Sequence, residues 1–145
     1  MTVRRMESAD LEQVAALEQA AFTDPWSFNI WKDCLEGRRD ICYVAEQDGL
    51  IVGYFCMMMV LDEAELLKIA VLPEKQKKGV ASGLMETMLC YLGSRKIRAV
   101  TLEVREHNRA ALALYTKYGF VPEGRRKNYY RNPAEDAIIM RKSQL

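Results

Sequence analysis

VLPEKQKKGVASGLMETMLCYL, residues 71–92, is the stretch on which the fold turns. In its second half Ala81, Leu84, Met85, Met88, Leu89 and Leu92 fall at i, i+3, i+4, i+7, i+8 and i+11, the apolar stripe of one α-helix, with Gly93 as its natural end. In its first half a strand stops at Pro73, and the chain turns through Gln76, Lys77, Lys78 and Gly79 into that helix. A glycine turn entering a helix presents free backbone N–H groups and the positive end of the helix dipole, a ready place for an anion. Two lysines there oppose the dipole at about 0.3–1 kcal/mol each. A local rule broken without local gain points to a bound phosphate, although a solvated turn with two exposed lysines accounts for the same residues. The spacing is neither G-x-x-x-x-G-K-[ST] nor G-x-G-x-x-G.

Outward from this segment the chain alternates strands and helices. Thr2 to Met6 reads as a short strand, with Ser8 as N-cap of a helix carrying Leu11, Val14, Leu17 and Ala21 at helical spacing. Asp24-Pro25-Trp26-Ser27 breaks that helix and starts another, to about Leu35. Strands follow at Ile41–Glu46, Leu50–Leu61 and Ala64–Val71, the first two joined by an Asp48-Gly49 turn. Beyond the central helix come a strand at Ala99–Val104 and a helix marked by Ala111, Leu114, Tyr115 and Tyr118 and closed by Gly119. Val121–Tyr130 and Asp136–Arg141 complete the chain as a strand pair. The fold class is α+β in mixed order, read as a single domain over residues 1–145.

Composition narrows the function classes. Half of the 145 residues are hydrophobic, enough for a real core, and 21 Lys plus Arg balance 20 Asp plus Glu to a formal charge of +1. That balance argues against a dedicated nucleic-acid binder. Cys34, Cys42, Cys56 and Cys90 form no C-x-x-C pair, and His107 is the single histidine, so no metal cage is expected. Residues 1–10 lack the apolar core of a signal peptide, and the longest apolar run, Tyr54 to Leu61, is too short to span a bilayer. A cytoplasmic protein with reduced thiols, no membrane contact and a monomeric state is expected.

Several side chains carry chemistry. Glu103 lies inside the apolar strand Ala99–Val104, where glutamate is disfavoured. Partly withdrawn from water it would serve as a general base; on a solvated face it would simply pair with a lysine. Tyr115 sits on an apolar helical stripe, as a packing residue or as an acid able to donate its phenolic proton. Asn108 fits an N-cap, His107 a surface position, and Met57-Met58-Met59 core filling. The run Arg125-Arg-Lys-Asn-Tyr129-Tyr130-Arg131 would suit either RNA stacking or a hairpin beside a substrate groove. Trp26 and Phe28 fit a core or a groove wall.

Taken together, Pro73 followed by Gln76-x-x-Gly79-x-Ala81 opening a helix resembles the acetyl-CoA signature Q/R-x-x-G-x-G/A of GNAT N-acetyltransferases. Phe22 with Pro25-Trp26-Ser27, Ala64 to Val71, Leu102-Glu-Val-Arg-Glu106 with Asn108, Leu114-Tyr115 with Gly119-Phe120, Tyr129-Tyr130 and Glu135-Asp136-Ala137 narrow the likeness. Over nearly the full chain these look like the bacterial ribosomal-protein alanine N-acetyltransferases.

The resemblance implies a mixed central sheet, splayed open and flanked by helices. It implies acetyl-CoA as co-substrate, held by backbone groups of Ile69, Ala70 and Val71, by the Lys77, Lys78, Gly79, Val80, Ala81 and Ser82 turn, and by Asn108. Glu103 matches the family's general base and Tyr115 its general acid, in direct transfer within a ternary complex. The acceptor implied is a protein α-amine, the N-terminal alanine of a small-subunit ribosomal protein, entering near Trp26, Glu65, Tyr129 and Tyr130. A lysine side chain or a small-molecule amine is the alternative acceptor, and a non-catalytic CoA- or RNA-binding module the alternative class. The chain departs from the family pattern at Leu72, where Asp is frequent, at Lys77 for Arg, at His107 for Ser and at Lys68 for Asn. Lys68 and His107 bear on substrate fit.

Overall fold

Elements form where the spacing places them, and each end has a local cause. In the computed structural model, which describes residues 1–37 and 40–145, the order is β1 (Thr2–Arg5), α1 (Leu11–Ala21), α2 (Phe28–Glu36), β2 (Asp40–Gln47), β3 (Leu50–Val60), β4 (Glu63–Val71), α3 (Val80–Ser94), β5 (Ala99–Arg105), α4 (Arg109–Lys117), β6 (Val121–Tyr130) and β7 (Glu135–Ser143). Ser27 caps α2 by accepting from the Ile30 N–H at 3.2 Å, and Asn108 caps α4 by accepting from the Ala111 N–H at 3.2 Å. Gly119, at φ 92°, closes α4.

Two expected boundaries are corrected. Ser8 is no cap: it lies inside a one-turn 3-10 helix, Ser8–Asp10. Asp10 takes the position before α1 but caps none of its N–H groups; its carboxylate accepts from the Glu7 N–H at 2.8 Å, back across the 3-10 turn, while Arg4 holds its two oxygens at 2.8 and 2.9 Å. Gly93 does not end α3, because the Arg95 N–H still reaches the Tyr91 and Leu92 carbonyls at 3.2 and 3.1 Å. The left-handed residue there is Lys96, at φ 58°.

The seven strands form one sheet in the order β1-β2-β3-β4-β5-β7-β6. Every neighbour is antiparallel except β4 and β5, which run parallel across the α3 crossover. That central pairing is short. It runs from Glu63 opposite Ala99 to Leu66 opposite Leu102 and goes no further. Beyond it β4 stays bonded to β3 as far as Val71, and β5 to β7 as far as Arg105. The sheet therefore opens into a gap between Leu67–Val71 and Glu103–Arg105. A register shift at Cys56/Met57 leaves Leu67 without a partner on β3 at the place where the strands part; an extra residue of that kind bends a strand and sharpens its twist.

One core lies between α3 and the sheet, where Leu84, Met85, Met88 and Leu92 meet Val52, Phe55, Leu66, Val100 and Leu102. The other lies on the opposite face, where Leu11, Val14, Leu17 and Trp31 meet Val44, Tyr54 and Cys56. Gly53 lets the start of α3 seat closely: a Cβ there would lie 2.9 Å from the Ala70 carbonyl oxygen and 3.1 Å from Val80.

Candidate active site

At the top of the gap the turn before α3 has the shape of an anion site. Gly79 is the N-cap residue in the left-handed region, φ 86° and ψ 1°, and no side chain caps the helix. The Val80, Ala81 and Ser82 N–H groups, the first of α3, therefore have neither an intrahelical acceptor nor a cap. A glycine there costs no steric strain. Lys77 and Lys78 flank the turn, both exposed.

The adjoining edge of β4 offers backbone groups to the gap. The Leu72 N–H donates to the Val52 carbonyl at 2.9 Å, on the β3 side. Backbone groups alternate sides along a strand, so those of Ala70 also turn to β3, while those of Ile69 and Val71 turn toward the gap. The Val71 carbonyl accepts from the Gln76 side chain at 3.4 Å, which ties this edge to the turn.

Across the gap, Val100, Leu102 and Val104 belong to the α3-side core. Alternation sends Glu103 to the other face. Ala64 and Leu66 likewise pack toward α3, so Glu65 shares the Glu103 face. There Glu103 is half-buried, with Oε1 3.2 Å from Arg126 Nε, while its Oε2 is buried and has no hydrogen-bond partner among the described residues. The carboxylate marks its neighbours. Burial and then the Glu103 charge push Glu65 above the usual carboxylate range. The Tyr130 phenol is pushed up to about 12, chiefly by burial and next by Glu103. Tyr129 is raised by burial and then by a hydrogen bond to the Glu103 carboxylate, and remains half-exposed.

Tyr115 comes from α4 on the α3 side of the sheet, is 5% exposed, and packs its ring 5.8 Å from that of Phe120. Burial raises its pKa, so the phenol stays protonated well into alkaline solution. Tyr130 is near enough to add to that shift. Asn108, exposed, opens α4 three residues beyond the end of β5. Trp26 leads into α2, half-buried, its ring 4.9 Å from Trp31. Thus Glu103, Glu65, Tyr129 and Tyr130 converge on one face, and the turn follows the β4 edge in the chain just beyond Val71. Tyr115 lies in the core on the α3 side of the sheet, the face opposite Glu103.

Two clusters were missed by reading the sequence. Glu18 is fully buried; its carboxylate accepts from the Trp26 N–H at 2.8 Å and from the Tyr54 hydroxyl, and pairs with Lys68 Nζ at 2.9 Å. A signal existed, since Glu18 follows Val14 by four residues on the apolar stripe of α1. The second cluster surrounds Glu135. It accepts from the His107 N–H at 2.8 Å and pairs with the His107 ring and with Arg105, each at 3.1 Å. Arg105 also donates to the Arg131 and Pro133 carbonyls at 2.8 and 2.9 Å, and its guanidinium lies 4.5 Å from the Tyr130 ring centroid. The β6–β7 turn is thereby fastened to the end of β5. His107 itself is 77% exposed in its side chain, a surface position as expected.

The basic run of β6 is largely matched within the chain. Arg125 pairs with Glu106 at 2.5 Å and Asp136 at 2.9 Å, and Arg126 pairs with Glu103. Met57 is fully buried, as filler should be, while Met58 and Met59 are half-buried. Among the described residues no group of His, Cys, Asp and Glu could hold a metal, and no helix is long and apolar enough to cross a membrane.

Comparison with known proteins agrees with this geometry. Residues 6–120 match the acetyltransferase (GNAT) family. The ribosomal protein bS18-alanine N-acetyltransferase of Escherichia coli strain K12 is 37% identical over 96% of this chain and 95% of its own. The crystal structure of the ribosomal-protein-S18-alanine N-acetyltransferase from Escherichia coli superposes with a TM-score of 0.91, at 36% identity over 98% of this chain and 92% of that one. The crystal structure of Ard1 from Thermoplasma volcanium gives 0.89, at 28% identity over 99% and 97%.

Proposed function

The chain belongs to the GNAT acetyltransferase family, and from that premise we propose that it moves the acetyl group of acetyl-CoA onto the N-terminal α-amine of a protein, the N-terminal alanine of ribosomal protein bS18. One observation supports the reading: the central sheet parts beyond Leu66 and Leu102, and Glu103, the next residue of β5, lies on the face away from α3 with its Oε2 buried and without a hydrogen-bond partner among the described residues.

The residues present fit the co-substrate. The Val80, Ala81 and Ser82 N–H groups, with Lys77, Lys78 and the left-handed Gly79, suit a pyrophosphate. The Ile69 and Val71 edges and Asn108 suit an amide-bearing arm laid into the gap, which such an arm enters as an extra strand would. A protein N-terminus enters on the other face, between Trp26 and the Tyr129-Tyr130 hairpin, over Glu65.

Chemistry then needs a proton removed, a charge stabilised and a proton returned. Glu103 Oε2 takes the ammonium proton, directly or through one water. The amine lone pair forms the new C–N bond at the thioester carbon, and the Val71 N–H donates to the oxygen that gains charge. As the C–S bond breaks, the Tyr115 hydroxyl hands its proton to the departing sulfur. The second proton, shed by the nitrogen as it becomes an amide, passes through water to restore the Tyr115 phenol, while Glu103 returns its proton to solvent. Both substrates are bound together throughout, in the cytoplasm where ribosomal proteins are made, by a monomer.

Mass spectrometry on three peptides incubated with acetyl-CoA tests this. One begins with free Ala-Arg, one has a blocked N-terminus with internal lysines, and one begins with Met. Acetylation of the first alone is expected. Acetylation of the blocked peptide alone would replace the acceptor by a lysine side chain. No product on any peptide would overturn the protein-acceptor reading.

A further inference from the structure

We propose that Lys68 is a positioning residue for the acceptor: acting through the buried Glu18, it holds the Phe22–Trp26 segment in place as one wall of the acceptor groove. The proposal rests on the acceptor reading above, and its geometry stands apart from that reading. Lys68 lies on β4 just past Leu66, the last residue paired with β5, and so on the lip of the gap. Its side chain is 14% exposed and crosses to Glu18, which is 0% exposed, at 2.9 Å. The same ammonium sits 3.9 Å from the ring centroid of Phe22 and 5.2 Å from that of Trp26, within the range where a cation is attracted to an aromatic face. Glu18 in turn accepts from the Trp26 backbone N–H at 2.8 Å.

One cation thus touches both aromatic residues of the segment and the carboxylate that fixes its backbone. Between the end of α1 at Ala21 and the start of α2 at Phe28 the chain has no regular structure of its own. Its position depends on what it is tied to. Tyr54 completes the tie from β3, donating its hydroxyl to the other oxygen of Glu18. A buried ion pair is weak evidence for stability, since neutral residues of similar volume often keep a fold equally stable. What a neutral replacement loses here is the fixed place of Phe22 and Trp26 relative to the gap. A wall displaced by even an ångström misplaces the acceptor amine, while the acetyl-CoA turn, on the far side of the sheet, keeps its geometry.

The test compares Lys68→Met, Lys68→Arg and the double variant Glu18→Gln with Lys68→Met, the last leaving no unpaired buried charge. Each is assayed as the full chain for amide hydrogen exchange across residues 22–27, and for KM toward an Ala-first peptide and toward acetyl-CoA. In Lys68→Met, exchange should quicken about tenfold or more. Its acceptor KM should rise about tenfold with the acetyl-CoA KM within about twofold of wild type. Lys68→Arg should return both toward wild type, and the double variant should fold and show the Lys68→Met kinetics. Unchanged exchange, or an equal rise in both KM values, overturns the proposal. A wild-type chain that acetylates no free N-terminus overturns the acceptor reading instead, which the peptide assay reports separately from the exchange.

Discussion

Replacing Glu103 by Gln separates chemistry from structure more cleanly than other changes at the site. The substitution keeps volume and shape and removes one charge. On the structural side the loss is small. Among the described residues the one ion pair given up is with Arg126, whose side chain is 56% exposed, and exposed pairs contribute about 0–1 kcal/mol. For a chain of this size that is a shift of no more than about 2–4 °C in Tm. The unpartnered Oε2 becomes a neutral amide, and burying it costs less than burying a carboxylate. On the catalytic side a lost general base lowers the rate about 10²–10⁴-fold, or about 3–5 kcal/mol of barrier. The pH profile gives a second handle. Without its base, the variant depends on amine already deprotonated in solution, so its rate should climb about tenfold per pH unit until the α-amine pKa near 8. The wild type should be flatter over that range. Steady-state rates with an Ala-first peptide, from pH 6 to 9, measure both. A Glu103→Gln variant within about threefold of wild type at every pH would refute the assignment, and a Tm fall of 10 °C or more would refute the claim that this charge is structurally cheap to lose.

Three further outcomes follow from the same coordinates. Tyr115→Phe removes a hydroxyl from a buried ring and should lower kcat about 10²–10⁴-fold with Tm and the acetyl-CoA KM little changed; full activity would return Tyr115 to a packing role. Gly53→Ala sets a Cβ 2.9 Å from the Ala70 carbonyl oxygen and 3.2 Å from Leu84, an overpacking that should cost about 1–3 kcal/mol, and an unchanged urea midpoint would show that α3 can shift to admit it. Arg4 holds the Asp10 carboxyl below its ordinary value of 3.8 against the opposing effect of burial. A depressed folded-state pKa gives stability that is present above 3.8 and lost as pH falls below it. Asp10→Asn should therefore narrow the stability difference from wild type as urea titrations move from pH 6 to pH 3, and a constant difference would count against the Asp10 contribution.

Much of the element pattern was legible because it is local: the stripe from Ala81 to Leu92, the alternation of Val100, Leu102 and Val104, and the caps at Ser27 and Asn108 need no distant partner, while β3, buried on both faces, shows as an unbroken apolar run. The candidate chemistry was legible for a related reason. Glu103 contradicts the pattern of its own strand, and Lys77 and Lys78 contradict the dipole of their own helix, and such conflicts gather at functional sites. Ser8 and Gly93 misled because what settles those ends lies elsewhere in the chain: Asp10, held by Arg4 on β1, takes the position before α1, and Lys96 takes the left-handed turn. The tie among Glu18, Tyr54 and Lys68 spans 50 residues of chain, and only the Glu18 end, a carboxylate on an apolar stripe, shows in the local pattern. The gap itself leaves no mark in composition or period, since it is an absence of pairing between two well-formed strands.

That absence explains why the two proposed proton-handling groups end up on opposite sides of one opening. β5 is fixed in register by β7, from Ala99 opposite Ser143 to Arg105 opposite Ala137, and the Val100, Leu102 and Val104 side chains anchor it to the α3-side core. With a side-chain period of two, those three residues facing α3 oblige Glu103 to face away, and a slip of one residue would bury Glu103 against α3 and expose Leu102. Tyr115 lies on the α3 side because its helix is packed there beside Phe120. In a continuous sheet the strands would separate the two groups completely. The early end of the β4–β5 ladder at Leu66 and Leu102, beside the unmatched Leu67, removes that barrier just where Glu103 begins, which is what the proposed passage requires. Restoring a regular register by deleting Leu67 should therefore close the passage, and a deletion variant that folds yet retains wild-type turnover would show that the parting of β4 and β5 does not depend on the bulge.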